Sequence, residues 1–236
     1  MREIEVQIGN SGCHRDRLLH LKFRTRVQKS EEEMNLIRVI VKLAGITSLA
    51  LLAAGASGAG EIKGKVNVQG IKSAENIAVY VDAIPDKKFE APKEHVVVDQ
   101  RKMTFIPAVT VVQQGTIVDF LNSDSVAHNV YWPSISGNKK LGHNLTVVSP
   151  KQKKPFQFND LGVVPLLCNI HPEMSGYIVV APTPYFAVTD KDGNFEIKDI
   201  PAGKYTLKTW NEDGKPTTQA VEVGADTVTV ELTVKK

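Results

Sequence analysis

Residues 162–180 read GVVPLLCNIHPEMSGYIVV, and they carry three metal-ligating side chains in a short loop between two apolar, strand-like runs. The ligating residues are Cys168, His171 and Met174, with the spacing Cys-x2-His-x2-Met. A short loop that joins two adjacent strands can bring all three side chains onto one ion. Thiolate, thioether and imidazole together favour copper, because soft sulfur ligands suit Cu(I) and imidazole also suits copper. Zinc is expected to reject the thioether and to recruit a further Cys or His.

A trigonal copper site needs a second histidine, and a segment upstream supplies one. Residues 116–131 read TIVDFLNSDSVAHNVY. An alternating strand pattern runs into an Asn/Ser/Asp turn, and His128 stands at the start of the next predicted strand. His128 is therefore the fourth candidate ligand.

Taken together, these two segments resemble the cupredoxin family, whose fingerprint is F-x-N-x-D-x-x-x-H-N-V followed by C-x-x-H and a later Met. The resemblance covers roughly residues 94–181. It implies a Greek-key β-sandwich over residues 84–182 that holds one copper ion cycling between Cu(I) and Cu(II). The implied in-plane ligands are His128, Cys168 and His171, with Met174 as a weak axial ligand. Asn129 is implied to hydrogen-bond across to the Cys168 loop.

Several features near these motifs receive structural expectations only. Pro165 lacks an N–H, which predicts an edge strand or a bulge before Cys168. His95 is expected at a surface strand start and His143 in an exposed loop. The lysines at 139–140 and 151–154 are expected in solvated turns, and Cys13, His14 and His20 are assigned no function.

The charge distribution excludes one class of partner. Residues 1–60 contain nine Lys/Arg against six Asp/Glu, whereas residues 61–236 contain twenty of each. The region that carries the motifs is therefore neutral, and the basic patch expected of a nucleic-acid binder is missing. We expect no nucleic-acid partner.

The N-terminal residues have the layout of an export signal. Residues 34–60 place Arg38 and Lys42 before an apolar run and then small residues, which predicts a helical signal peptide starting at Met34. A membrane anchor is the alternative, but the uncharged run is shorter than the ~20 residues that span a bilayer. Residues 1–33 are interpreted as a mis-annotated upstream extension. We expect a periplasmic or otherwise exported protein without stable membrane insertion, in which Cys168 is a lone thiol.

Residues 183–236 predict a second, smaller β-sandwich. Short alternating strands are separated by Asp-Gly and Pro-Ala-Gly turns. The pattern TDxDGxFxIxDIPAGxYTL resembles the carboxypeptidase regulatory-like (transthyretin-like) sandwich. Residues 61–83 resemble the opening strands of that family, which favours a cupredoxin inserted into the sandwich. The alternative is two consecutive domains, with residues 61–83 as extra cupredoxin strands.

These observations favour one-electron transfer to a redox protein partner over enzymatic chemistry. After His128 and His171 are used, only His95 and His143 remain after residue 60, too few for a multicopper enzyme. Copper binding and delivery is the main alternative, because the same ligands would serve. A binding module with a vestigial loop, and a cysteine hydrolase that pairs Cys168 with His128, are further alternatives.

Overall fold

The computed structural model describes residues 59–236, and these residues form β-strands joined by turns and one short 3-10 helix at Lys139–Leu141. The strands in chain order are β1 (Gly60–Gln69), β2 (Ala78–Val81), β3 (Val96–Gln100), β4 (Phe105–Ile106), β5 (Val109–Gln113), β6 (Ile117–Asn122), β7 (His128–Trp132), β8 (His143–Val148), β9 (Lys153–Gln157), β10 (Gly162–Leu167), β11 (Ser175–Ala181), β12 (Phe186–Val188), β13 (Asn194–Ile200), β14 (Gly203–Trp210), β15 (Thr218–Val223) and β16 (Thr227–Lys235).

Strands β3 to β11 form one β-sandwich, called here the central sandwich. Its two sheets have the strand orders β5-β11-β10-β7-β8 and β4-β3-β6-β9. Val, Ile and aromatic residues dominate these strands, as expected of surfaces that pack on a pleated sheet. The largest buried side chains of its core are aromatic: Phe105, Phe120, Trp132 and Phe158.

The remaining strands form a second sandwich, called here the terminal sandwich. Its sheets have the orders β13-β1-β16 and β12-β2-β14-β15. Strand β13 shows how the sequence produces this layer, because its inward Phe195 and Ile197 alternate with outward charged residues. Gly193, in the turn before β13, has φ +81°, a conformation that glycine adopts without steric cost.

The chain leaves the terminal sandwich after β2 and returns to it at β12. Strand β1 pairs antiparallel with β13 and parallel with β16, and β2 pairs with β12 and β14. The two sandwiches contact each other through a small cluster of buried apolar side chains: Ala78, Val109, Val111, Val179 and Ala181. Residues 59–236 accordingly make one compact unit.

The predicted all-β class with two sandwiches is confirmed for the described residues. The predicted signal peptide and the interpretation of residues 1–33 concern residues outside those described, apart from 59 and 60. None of the helical structure within residues 59–236 is long and apolar enough to cross a membrane.

The expectation for Pro165 was wrong. Strand β10 lies inside its sheet between β11 and β7, and its register with β11 runs without a bulge. On the other side, only Leu167 pairs with β7, at Tyr131. This single pair is the whole ladder between β10 and β7, and it lies at the last residue of β10 rather than at Pro165. An interior strand can therefore accommodate a residue without an N–H at this position.

Candidate metal centre

Three strands meet where the predicted ligands stand. His128 is the first residue of β7, Cys168 directly follows β10, and Met174 directly precedes β11. Leu167, at the end of β10, pairs with both β7 and β11, which holds the three strands together next to the predicted ligands. The Met174 N–H donates to the His171 carbonyl over 3.0 Å and closes the loop between β10 and β11.

Two imidazoles and a thiol lie close together at these strand ends. The Nδ1 atoms of His128 and His171 are 3.0 Å apart, and the Sγ atom of Cys168 lies 4.0 Å from His171 Nδ1. All three ligand atoms lie within 4.8 Å of one another. Two nitrogens that each bind a metal at about 2 Å stand about 3 Å apart at ordinary bond angles. The arrangement could therefore hold one metal ion.

Three of the four predicted ligands are shielded from solvent, and the fourth is partly exposed. His128 and Met174 are fully buried and Cys168 is nearly so, whereas His171 is only half-buried. The neighbouring Ile170 is 47% exposed. Access from solvent to the group therefore runs past the His171 ring.

Asn129 connects β7 to the Cys168 loop. Its backbone N–H donates to Cys168 Sγ over 3.4 Å, and its side-chain oxygen accepts the Asn169 N–H at 3.4 Å. Its amide nitrogen donates to Asn144 Oδ1 on β8 over 2.9 Å. These hydrogen bonds limit movement of the Cys168 loop relative to β7 and β8.

Sequence reasoning missed Asp124, which lies behind His128. Asp124 Oδ2 is 2.8 Å from His128 Nε2, and the carboxylate also accepts the backbone N–H groups of Lys102 and Met103. Burial raises the pKa of this carboxyl, but the two amides and the imidazole outweigh it, so the pKa lies below its ordinary value. The available signal was the Asp position of the fingerprint F-x-N-x-D-x-x-x-H-N-V, which received no role because Asp is common in turns.

The other two described histidines lie outside this group. His95 precedes β3 and is 3.2 Å from a carboxylate oxygen of Asp119. His143 is exposed as expected, but it begins strand β8 rather than lying in a loop, and its ring packs beside Trp132 and Phe156. Neither histidine belongs to the group formed by His128, Cys168 and His171.

Comparisons with known proteins match parts of the chain. A protein-family model described as polysaccharide lyase family 4, domain II, matches residues 182–231. No curated protein matches the chain. Among solved structures, an amicyanin mutant in its Cu(I) form is 23% identical, with a TM-score of 0.35, over 43% of this chain and 97% of amicyanin. A purple cupredoxin from Nitrosopumilus maritimus is 21% identical, with a TM-score of 0.33, over 36% of this chain and 99% of its own.

The family match concerns the terminal sandwich. It begins just before β12 and ends within β16, whereas the structure builds that sandwich with β1 and β2 as well. The matched family differs from the carboxypeptidase regulatory-like family that the sequence pattern resembles, and that resemblance stays a prediction.

Proposed function

We propose that this chain is a mononuclear copper protein that transfers single electrons. The observation that carries the proposal is the convergence of one buried thiol and two imidazoles at the ends of neighbouring strands, with Met174 buried in the same core cluster as Cys168. Two histidines and one cysteine with a weak axial methionine are the ligand set of electron-transfer copper sites. In this proposal His128, Cys168 and His171 are the in-plane ligands and Met174 is the axial one.

The donor chemistry supports copper over zinc. Structural zinc sites take four Cys or His ligands, and catalytic ones take three protein ligands with an open position for water. Within residues 59–236, the group of three contains no carboxylate and no second cysteine. The Asp124 carboxylate bonds the far side of the His128 ring and accepts hydrogen bonds from two backbone amides.

Copper in such a site supplies a one-electron couple between Cu(I) and Cu(II). The residues of this chain contribute rigidity and insulation. Cys168 and Met174 are held in the core and His128 is fully buried. The backbone N–H of Asn129 donates to the Cys168 sulfur. A centre whose ligands move little on a change of oxidation state needs little reorganisation, and the half-buried His171 offers the shortest route to a partner.

The proposal has corollaries for partner and location. The protein is not an enzyme in this view, because four ligands leave no position for a substrate. A redox protein would dock where Ile170 and His171 reach the surface. An exported location would agree with the signal peptide predicted from Met34.

The test is a visible absorption spectrum of the purified protein after one equivalent of Cu(II). We expect an intense thiolate-to-copper band that a mild reductant bleaches reversibly, because Cys168 would bind the ion as a thiolate. The control is Cys168→Ser, which should lack the band. A weak spectrum that is the same in both proteins would contradict the copper assignment.

A second measurement separates electron transfer from copper delivery. An electron carrier should retain copper against a competing chelator in both oxidation states. Rapid loss of Cu(I) to the chelator, with the band intact for Cu(II), would favour copper binding and delivery instead.

A further inference from the structure

Asp124 holds a strained, exposed turn beside the His128 ring, on the side away from His171. Its carboxylate accepts the Lys102 N–H at 2.6 Å and the Met103 N–H at 2.9 Å. Both of these residues have left-handed backbone conformations, with φ of 56° and 53°. Non-glycine residues rarely adopt such values, and two in succession cost free energy that the surroundings must offset. Two successive amides aimed at one anion offset it here, because such a backbone nest binds negative charge.

The same carboxylate determines the state of the His128 ring. An ionised carboxylate only accepts hydrogen bonds, so His128 Nε2, at 2.8 Å from Asp124 Oδ2, carries the proton. In a neutral ring Nδ1 then holds the free electron pair. Nδ1 is the atom that faces His171, and a metal ligand must present such a pair.

We propose that Asp124 is the positioning residue of the metal centre. Its carboxylate selects the His128 tautomer that presents Nδ1 to the ion, and its negative charge favours Cu(II) over Cu(I). The inference rests on the proposed function. It extends a general pattern in which a metal-bound histidine donates its other N–H to an oxygen that fixes the ring and raises its basicity.

A second carboxylate–histidine pair in the same sandwich provides a matched control. Asp119 lies on β6, five residues before Asp124, and bonds both His95 and the Lys153 ammonium. Its histidine is 42% exposed and is not part of the metal-ligating group. Asp119→Asn therefore removes the same charge from the same kind of pair without touching the proposed ligands.

The first experiment tests the tautomer in the metal-free protein. Nitrogen-15 NMR of the imidazoles should show His128 protonated at Nε2 alone. In Asp124→Asn a single oxygen cannot serve three N–H donors, so a measurable share of the Nδ1-protonated form should appear. Asp119→Asn should leave the His128 signals unchanged. An Nδ1 proton on His128 in the wild-type protein would overturn the inference, even if the variant failed to fold.

The second experiment measures the reduction potential of the copper-loaded proteins. Asp124→Asn should raise it by about 59 mV, which is a tenfold shift of a one-electron equilibrium toward Cu(I). Asp119→Asn should shift it much less. If the wild-type protein gives the thiolate band but Asp124→Asn has an unchanged potential, the role of Asp124 is refuted and the copper function stands. If the wild-type protein gives no band, the proposed function fails, while the NMR result still decides the role of Asp124 in orienting His128.

Discussion

The two sandwiches differ most clearly in what they bury. Among residues 59–236, the central sandwich buries eight polar or charged side chains: Gln100, Thr110, Gln113, Thr116, Asp119, Asn122, His128 and Asn129. The terminal sandwich and the segment leading back into it bury three, all of them threonines: Thr183, Thr189 and Thr209. Burying an amide or a charge is costly unless it is hydrogen-bonded, whereas a threonine hydroxyl needs only one or two partners.

The two cores also differ in composition. The terminal sandwich has a mainly aliphatic core, in which Ile62 and Leu207 are fully buried. The central sandwich adds four large aromatic side chains to its aliphatic core. It also places hydrogen-bonded polar side chains against the metal-ligating group: Asp124, which is braced by Asn122, contacts His128, and Asn129 contacts Cys168. We infer that the terminal sandwich has a structural role, whereas the central sandwich buries more polar groups because they position one site.

Core truncation in each sandwich is the strongest way to break this comparison. Phe120→Ala should lower the free energy of unfolding by about 3–5 kcal/mol, and Leu207→Ala by about 2–5 kcal/mol. Phe120 stacks on Trp132, which lies on the same strand as His128, so its removal should also weaken the copper band. Leu207→Ala should leave the band unchanged. Denaturant titration and the visible spectrum measure the two effects.

A folded Leu207→Ala protein without the band would show that the terminal sandwich shapes the site. The unfolding curves carry a second expectation. Because the sandwiches share buried contacts such as those of Val179 and Ala181, each variant should unfold in one transition.

Removal of a buried amide should have a smaller effect that is confined to the central sandwich. Asn122 donates to the Val126 and Val148 carbonyls and accepts the Asp124 N–H, so it braces the turn that leads to His128. Asn122→Ala should cost about 1–3 kcal/mol, the penalty for buried groups left without partners. It should also raise the reduction potential, because the Asp124 carboxylate would be held less firmly.

Thr209→Val is the matched change in the terminal sandwich. It removes the hydroxyl that accepts the Thr217 N–H and keeps the side-chain shape. A cost of about 1 kcal/mol is expected, with no change of potential. Equal shifts of potential in both variants would mean that the effect of Asn122 is general loosening rather than support of the site.

The residues that sequence patterns identified are those with short-range signals. Cys168, His171 and Met174 share one loop, and His128 follows a recognisable turn in a segment that resembles the cupredoxin fingerprint, so local signals indicated all four. The role of Asp124 depends on amides 21 and 22 residues away along the chain, in a turn whose left-handed conformation has no glycine to mark it. Pro165 was assigned to an edge or a bulge for a similar reason, because strand order is a long-range property that a local pattern does not contain.

The smallest expected effect is the loss, at acid pH, of the stability that Asp119 contributes. The prediction compares this buried carboxylate with an exposed one in the terminal sandwich. The Lys153 ammonium, followed by His95, holds the pKa of Asp119 below its ordinary value despite burial. A lowered folded-state pKa contributes stability that is present above the unfolded pKa of about 3.9 and is lost as pH falls through the folded value. The gap in unfolding midpoint between the wild-type protein and Asp119→Asn should therefore narrow below about pH 4.

Asp190→Asn in the terminal sandwich is the comparison. The backbone N–H of Asn194 and its side-chain amide lower the pKa of Asp190, which lies at the surface. Its gap should narrow in the same pH range but start smaller, since water screens an exposed carboxylate. If Asp190→Asn lowered the unfolding midpoint at pH 7 more than Asp119→Asn did, the expected order of the two variants would be reversed. Burial would then not determine how much the loss of a charged group costs in this protein.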